Sequence, residues 1–340
     1  MVAELVCQTN FSFLHGASDP EELVNTAAFL GYSSLAITDE CSVAGVVRAY
    51  AEIKRNNLPL HLVVGSLFRL NDSLSVVLLC PDKTAYAELC RIITNARRRS
   101  EKGSYKLAEW DLKSVKHCLL IWLPDPSSQN NQHWGKWLSK HYSSRCYLAG
   151  SRLLDGSDEL HTKEVMRLHS EFDFPIVASS RVLFHHSDRL PVQQVLQAID
   201  ASTTVDKLGL TAQSNAERCL RPIAKMKKLF PAYWLENTAS LARLCHFSMD
   251  ELKYQYPSEV VPEGYTASTY LRHCVEEGVK KRFGETLPAS IRQTIEKEMA
   301  LISEQQYEYF FLTIYDVVQF ARAKGILYQG RGSAANSVVC

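Results

Sequence analysis

At 340 residues the chain exceeds what one hydrophobic core usually supports, so two domains are expected. Hydrophobic residues make up 46% and charged residues 22%, the make-up of an ordinary globular protein rather than a disordered or membrane-embedded one. Lys+Arg is 38 against Asp+Glu 37, so the net charge of +1 by itself gives no sign of a nucleic-acid partner.

No apolar leader segment follows Met1 and no long uncharged apolar run occurs, so no membrane association is expected. Ten cysteines are scattered without a C-x-x-C pair, which fits free thiols in a reducing cytosol better than a disulfide frame or a zinc finger. Most lie inside apolar segments, as Cys80 and Cys118 do, and read as small core residues. The basic clusters at 97–99, 225–228 and 280–282 read as solvated helix faces.

In chain order, short apolar runs predict strands over 4–7, 34–38, 60–64, 74–79, 118–123, 145–148 and 176–179. Helices are predicted between them, over 20–30, 46–55, 84–98, 158–170 and 191–199. The first is well punctuated: Asp19 suits the N-cap, Pro20 the first helical position, Glu22 completes a capping box and Gly31 stops the helix. Repeated β-then-α implies parallel strands in a barrel or a doubly wound sheet. After about Thr204 the strand signals fade, and a helix is predicted over 230–244. A Tyr/Pro/Glu-rich linker follows at 254–265, then helices over 267–283, 288–304 and 309–324. In the second of these Ile291, Ile295, Met299 and Ile302 recur at helical spacing and mark a buried stripe. A short strand over 326–328 is expected to lead into the glycine-flanked arginine turn.

In barrel-like α/β folds chemistry gathers at the C-terminal ends of the strands. Those ends carry Val6, Cys7 and Gln8; Asp39, Glu40 and Cys41; Gly65 and Ser66; and Ser179, Ser180 and Arg181. This is a poor metal-binding set, since a hydrolytic cluster needs several convergent His or carboxylate ligands. One reading is a weak single-metal site built from Asp39, Glu40 and a histidine among His61, His185 and His186. The other has Asp39 capping the next turn and Glu40 solvated.

Gly330-Arg331-Gly332-Ser333 reads as a phosphate cradle. The glycines permit close backbone approach and positive φ, Arg331 can grip phosphate oxygens, and Ser333 opens a helix whose N-terminus attracts anions. A tight strand-to-helix connection whose arginine pairs with a carboxylate fits the same residues.

A family resemblance runs in collinear order through the chain. Residues 4–18, Glu4-Leu5-Val6-Cys7-Gln8 onward, resemble the opening of the polymerase-and-histidinol-phosphatase (PHP) domain that heads bacterial C-family DNA polymerases. Leu35-Ala36-Ile37-Thr38-Asp39 resembles its second motif and Pro175-Ile176-Val177-Ala178-Ser179 its last strand. Phe310-Phe311-Leu312, Asp316-Val317-Val318 and the turn from Gly330 to Ser333 resemble the family's palm, where that turn binds the triphosphate of the incoming deoxynucleotide. The resemblance implies an α/β fold: a PHP-type distorted βα barrel over 1–204, a helical extension and linker over 205–265, and the start of a polymerase palm over 266–340.

The departures from the family pattern carry as much as the matches. Metal-binding relatives have His-x-His at Val6 and Gln8, Asp-His at Asp39 and Glu40, a glutamate at Ser66 and polar ligands at Arg181 and Leu183. Of these only Asp39 is kept, which implies a degenerate barrel with no metal and resembles the error-prone, damage-inducible branch.

The implied function is error-prone, translesion DNA synthesis by a longer cytoplasmic bacterial enzyme. Its Mg²⁺-binding catalytic aspartates would lie beyond Cys340, and the chain alone would be inactive with no tightly bound cofactor. Primer-template DNA, deoxynucleotides, a sliding clamp and damage-response accessory proteins are the implied partners. A non-catalytic scaffold that docks partners is the alternative, with a free-standing metallophosphoesterase behind it.

Overall fold

The computed structural model describes residues 1–70, 74–252, 256–258, 260–284, 286–332 and 336–340. The chain divides into two compact units, Met1–Leu252 and Lys253–Cys340.

The first unit is built on seven strands that lie side by side in chain order. They are β1 (Ala3–Glu4), β2 (Ser34–Ile37), β3 (His61–Leu70), β4 (Leu74–Leu79), β5 (Leu119–Trp122), β6 (Cys146–Ser151) and β7 (Ile176–Ser179). The last edge returns to the first: the Gln8 N–H donates to the Val182 carbonyl at 2.9 Å, and the Val182 N–H to the Val6 carbonyl at 2.9 Å. The sheet is therefore a nearly closed barrel.

Its strands are not all parallel, which corrects the expectation from the β-then-α rhythm. β4 runs antiparallel to both β3 and β5, while the other pairings are parallel. The cause is connection length. Only three residues separate Leu70 from Leu74, far too few for the crossover that parallel neighbours require. β3 is also twice as long as predicted, running on through Gly65, Ser66 and Arg69.

Two apolar layers follow from strand alternation. Ala3, Ala36, Val63, Leu67, Val77, Leu79, Leu119, Ile121, Ala149 and Val177 come from all seven strands into one cluster that fills the barrel. The alternate residues, such as Leu35, Ile37, Leu78, Leu120 and Trp122, pack outward with the helices. These are α1 (Pro20–Phe29), α2 (Ala44–Asn56), α3 (Lys83–Arg98), α4 (Glu109–Ser114), α5 (Asn131–Tyr142), α6 (Asp158–Phe172) and α7 (Leu190–Asp200). α4 and α5 had no counterpart in the sequence reading. At the start of α1 the Asp19 N–H donates to the Glu22 carboxylate at 3.0 Å, and Gly31 takes φ +80° just past its end.

The helix expected over 230–244 forms as α9 (Ala232–Leu244), which opens after Pro231, whose missing N–H and fixed φ suit a helix start; a shorter α8 (Ile223–Leu229), without a counterpart among the predicted helices, precedes it. α9 belongs to the barrel. Its Thr238 hydroxyl accepts the Ala178 N–H at 2.8 Å, and Leu241, Ala242 and Cys245 join the barrel interior. His61, at the start of β3, bonds the Cys245 carbonyl at 2.5 Å, so α9 closes the end from which the strands set out. Residues 205–252 thus fold with the first unit.

The second unit holds α10 (Ala267–Phe283), α11 (Ala289–Glu304) and α12 (Glu308–Ala323) around Leu271, Val275, Val279, Ile295, Met299, Ile302 and Leu312. Gly325 ends α12 at φ +66°. The strand expected over 326–328 does not form, because a strand requires a partner and none exists among the described residues of this unit. The helix expected to open at Ser333 would begin at residues that lie outside those described, 333–335, and 337–340 are not helical.

Gly150 shows how closely α9 packs. A Cβ placed there would lie 2.3 Å from the ring of buried Trp234. Gly150→Ala should therefore cost about 1–3 kcal/mol in urea unfolding, and Trp234→Leu in the same chain should recover part of that loss.

Candidate functional site

The barrel mouth, where the strands end, is held together by hydrogen bonds among the residues that would ligate metal in a phosphoesterase. Asp39 is fully buried. Its Oδ1 accepts the Thr9 N–H at 2.7 Å and the Ser12 hydroxyl at 2.7 Å, and its Oδ2 accepts the Thr9 hydroxyl at 2.9 Å. Burial raises its pKa above the ordinary carboxylate range, against the opposing hydrogen bonds from Ser12 and Thr9. Asp39 does not cap the turn after it; it anchors the loop that follows β1.

Glu40 is not solvated either. It accepts the Tyr105 hydroxyl at 2.7 Å and pairs with Arg69 at 3.2 Å. Burial, then the neighbouring Glu40 charge, push the Tyr105 phenol far up. The buried Ser66 hydroxyl donates to the Asp39 carbonyl at 2.7 Å and accepts the Ser42 N–H at 3.0 Å, so it ties β3 to the loop after β2. Val6 lies in the barrel interior and Leu183 in a separate cluster with Ala17 and Phe184. Gln8 is buried, and Arg181 turns the chain at φ +50°.

None of the three histidines reaches Asp39. His61 is at the opposite end of the barrel, His185 bonds Ser18 at 2.8 Å, and His186 is exposed. Among the described residues no three His, Cys, Asp or Glu side chains converge as a metal site would demand. Valine, leucine and a guanidinium cannot ligate a cation, and the Asp39 oxygens are already engaged. This donor set does not fit a divalent metal.

Two residues at the mouth escaped the sequence reading. Glu4 is wholly buried; its carboxylate accepts the Ser180 N–H at 2.7 Å, the Ser179 hydroxyl at 2.9 Å and the Val6 N–H at 3.0 Å. Burial raises its pKa; the bonds from Ser180, Val6 and Ser179 and the charge of Arg221 offset only part of that. A carboxylate inside the apolar run Val2–Cys7 was the available signal. Arg97, read as part of a solvated face, reaches back to the Glu40 and Cys41 carbonyls at 3.3 Å. Its neighbour Arg99 pairs with Asp111 at 2.6 Å.

In the second unit Gly332 has φ +79°, as a phosphate turn requires, whereas Gly330 does not take a positive φ. A Cβ at either glycine would meet nothing within 4 Å, and Arg331 is exposed. Ser333 lies outside the described residues. Just after it, Glu298 of α11 accepts the Ser337 hydroxyl at 2.8 Å, the Val339 N–H at 2.9 Å and the Val338 N–H at 3.1 Å. These donors hold its pKa below the ordinary value despite partial burial.

Comparison with known proteins agrees with this division. Residues 4–143 match the family described as PHP domain, and residues 269–340 the family described as Bacterial DNA polymerase III alpha NTPase domain. The chain is 56% identical over 338 residues to an error-prone DNA polymerase of Vibrio campbellii, covering 99% of this chain and 33% of that protein. It is 45% identical over 340 residues to the error-prone DNA polymerase of Methylococcus capsulatus, covering 99% of this chain and 32% of that one. Along its whole length the chain is homologous to the error-prone DNA polymerases. It spans about a third of the length of these relatives.

Two measurements check the geometry. Because the folded-state pKa of Glu4 is raised above its ordinary 4.5, its stabilising contribution is fully present below that value and is lost as pH rises through the folded value. The cost of Glu4→Gln should therefore grow as pH is lowered from 7 towards 4.5, read by urea midpoints. Glu298 has the opposite sign: its contribution is present above 4.5 and lost as pH falls through its lowered pKa. The Val338 and Val339 amide resonances should titrate with that midpoint, and Glu298→Gln should abolish the transition.

Proposed function

We propose that the chain is the N-terminal part of an error-prone DNA polymerase that acts in replication and repair by extending primers across damaged template. The observation that carries this reading is the 41–56% identity to proteins of that name over 99% of the chain. Arg331, with Gly330, Gly332 and Ser333, would receive the triphosphate of the incoming deoxynucleotide, since an exposed guanidinium beside backbone N–H groups suits phosphate oxygens. The exposure of Arg331 and the positive φ of Gly332 support that role.

The Mg²⁺ ions that align primer and triphosphate would be held by aspartates outside this chain. The barrel would carry no phosphoesterase or proofreading chemistry of its own, in keeping with the engaged Asp39 and the apolar Val6 and Leu183. Primer-template DNA, a sliding clamp and damage-response accessory proteins would be the partners of the complete enzyme, in the bacterial cytoplasm.

The test is primer extension by the longer protein that carries this chain at its start. Extension across a lesion should be observed, and Arg331→Ala should lower kcat/KM for nucleotide by roughly 10-fold or more, the loss of one charge-assisted phosphate contact of about 1.5–3 kcal/mol. Absence of extension, or unaltered kinetics in the variant, would count against the reading.

A further inference from the structure

The barrel mouth carries buried hydrogen-bond donors without acceptors, and beside them two arginines that make no ion pair among the described residues. Arg181 stands at a position where metal-binding relatives of this fold are expected to place a ligand. Its Nε is shielded from solvent and has no acceptor. Arg218 lies against it, with its Nε donating to the Arg181 carbonyl at 2.9 Å. Among the described residues neither arginine has a carboxylate within ion-pair distance, nor does Arg152 on the adjoining strand end.

The electrostatics report the same crowding. Burial, followed by the Arg181 and Arg69 charges, pushes the Arg218 pKa down to about 9. Burial and Arg69 lower that of Arg181 as well. Asp125 and Asp155 attract Arg181 from the ends of β5 and β6, but each is already bonded within its own turn, to Ser127 and Ser157.

The neutral groups nearby lean the same way. The Nε2 of Gln8, 3% exposed, and the hydroxyl of Ser151, 4% exposed, are buried without partners, as is the Nε of Arg152. Gln8 lies on the segment after β1, Ser151 ends β6 and Arg152 follows it, and both segments adjoin the β7 end that carries Arg181, through the Cys7–Val182 bridge and the Ser151–Ser179 pairing. Buried donors without acceptors are costly, and every one of these groups can be satisfied by an acceptor, with the half-buried guanidinium groups of Arg181 and Arg218 beside them. A divalent cation would be repelled. A compact oxyanion with several acceptor oxygens answers both the charge and the donors, as guanidinium forks do for phosphate.

We infer that the mouth of the barrel binds a phosphate group through the guanidinium groups of Arg181 and Arg218 with the Gln8 amide, in the place where related barrels would hold metal. This does not depend on the polymerase reading, and the group could belong to free phosphate or to the end of a nucleic-acid strand.

The test uses the 340-residue chain carrying Arg331→Ala, so that the terminal turn contributes nothing. Inorganic phosphate is titrated at constant ionic strength and followed by calorimetry and thermal unfolding. A saturable heat and a raised Tm are expected, with affinity falling at least 10-fold in Arg181→Leu and in Arg218→Gln. Arg181→Leu should also raise Tm in phosphate-free buffer, since it removes a buried Nε donor that has no acceptor, so a poorly folded Arg218 variant would not leave the question open. No saturable heat, or equal affinity in both variants, overturns the inference. A 5′-phosphorylated oligonucleotide is then compared with its 5′-hydroxyl counterpart. Preference for the phosphorylated strand assigns the site to a DNA end, and binding of inorganic phosphate alone assigns it to a small anion. Equal binding of both strands that survives Arg181→Leu overturns it.

Discussion

Glu4 sits wholly buried where the first strand meets the last, and the closure of the barrel runs through its carboxylate. It takes donors from Ser179 at the end of β7, from Ser180 just beyond it and from Val6 just after its own strand. A short β1 of two residues could not hold that seam by ladder bonds alone. The buried acid supplies what the ladder lacks, at the cost of a carboxyl that resists ionisation. Once the seam is closed, the interior can be filled from all seven strands, and α9 can seal the end from which they start.

The other end is held by its own hydrogen bonds. Asp39 gathers Thr9 and Ser12, Glu40 gathers Tyr105 and Arg69, and Ser66 ties β3 to the loop after β2. Each contact is a hydrogen bond worth about 1 kcal/mol net, but removal of a partner would strand a buried polar group and cost more. The cations at Arg181 and Arg218 are the part of this arrangement that remains unanswered within the protein.

Much of this was legible beforehand because local physics decided it. β4 and β7 were read to the residue, and the capping residues around Asp19 and the stop at Gly31 marked α1 correctly. That Val6 and Leu183 offer no donor atom was legible too, since valine and leucine have none wherever they are placed. The antiparallel β4 was missed because a hydrophobic run does not carry direction; only the three-residue connection to β3 did. The strand over 326–328 was predicted from apolar β-branched and aromatic character, yet no neighbour was there to pair with it.

By itself the sequence determined the segments, their order and the chemical poverty of the barrel mouth, because these depend on residue type and spacing. Tertiary structure alone decided that Glu4 would seal the barrel, that Asp39 would be spent on the loop behind it, and that Arg218 would reach the Arg181 carbonyl. Those are distances between residues tens to hundreds of positions apart. They come into being only when the sheet closes, and no local pattern in the chain encodes them.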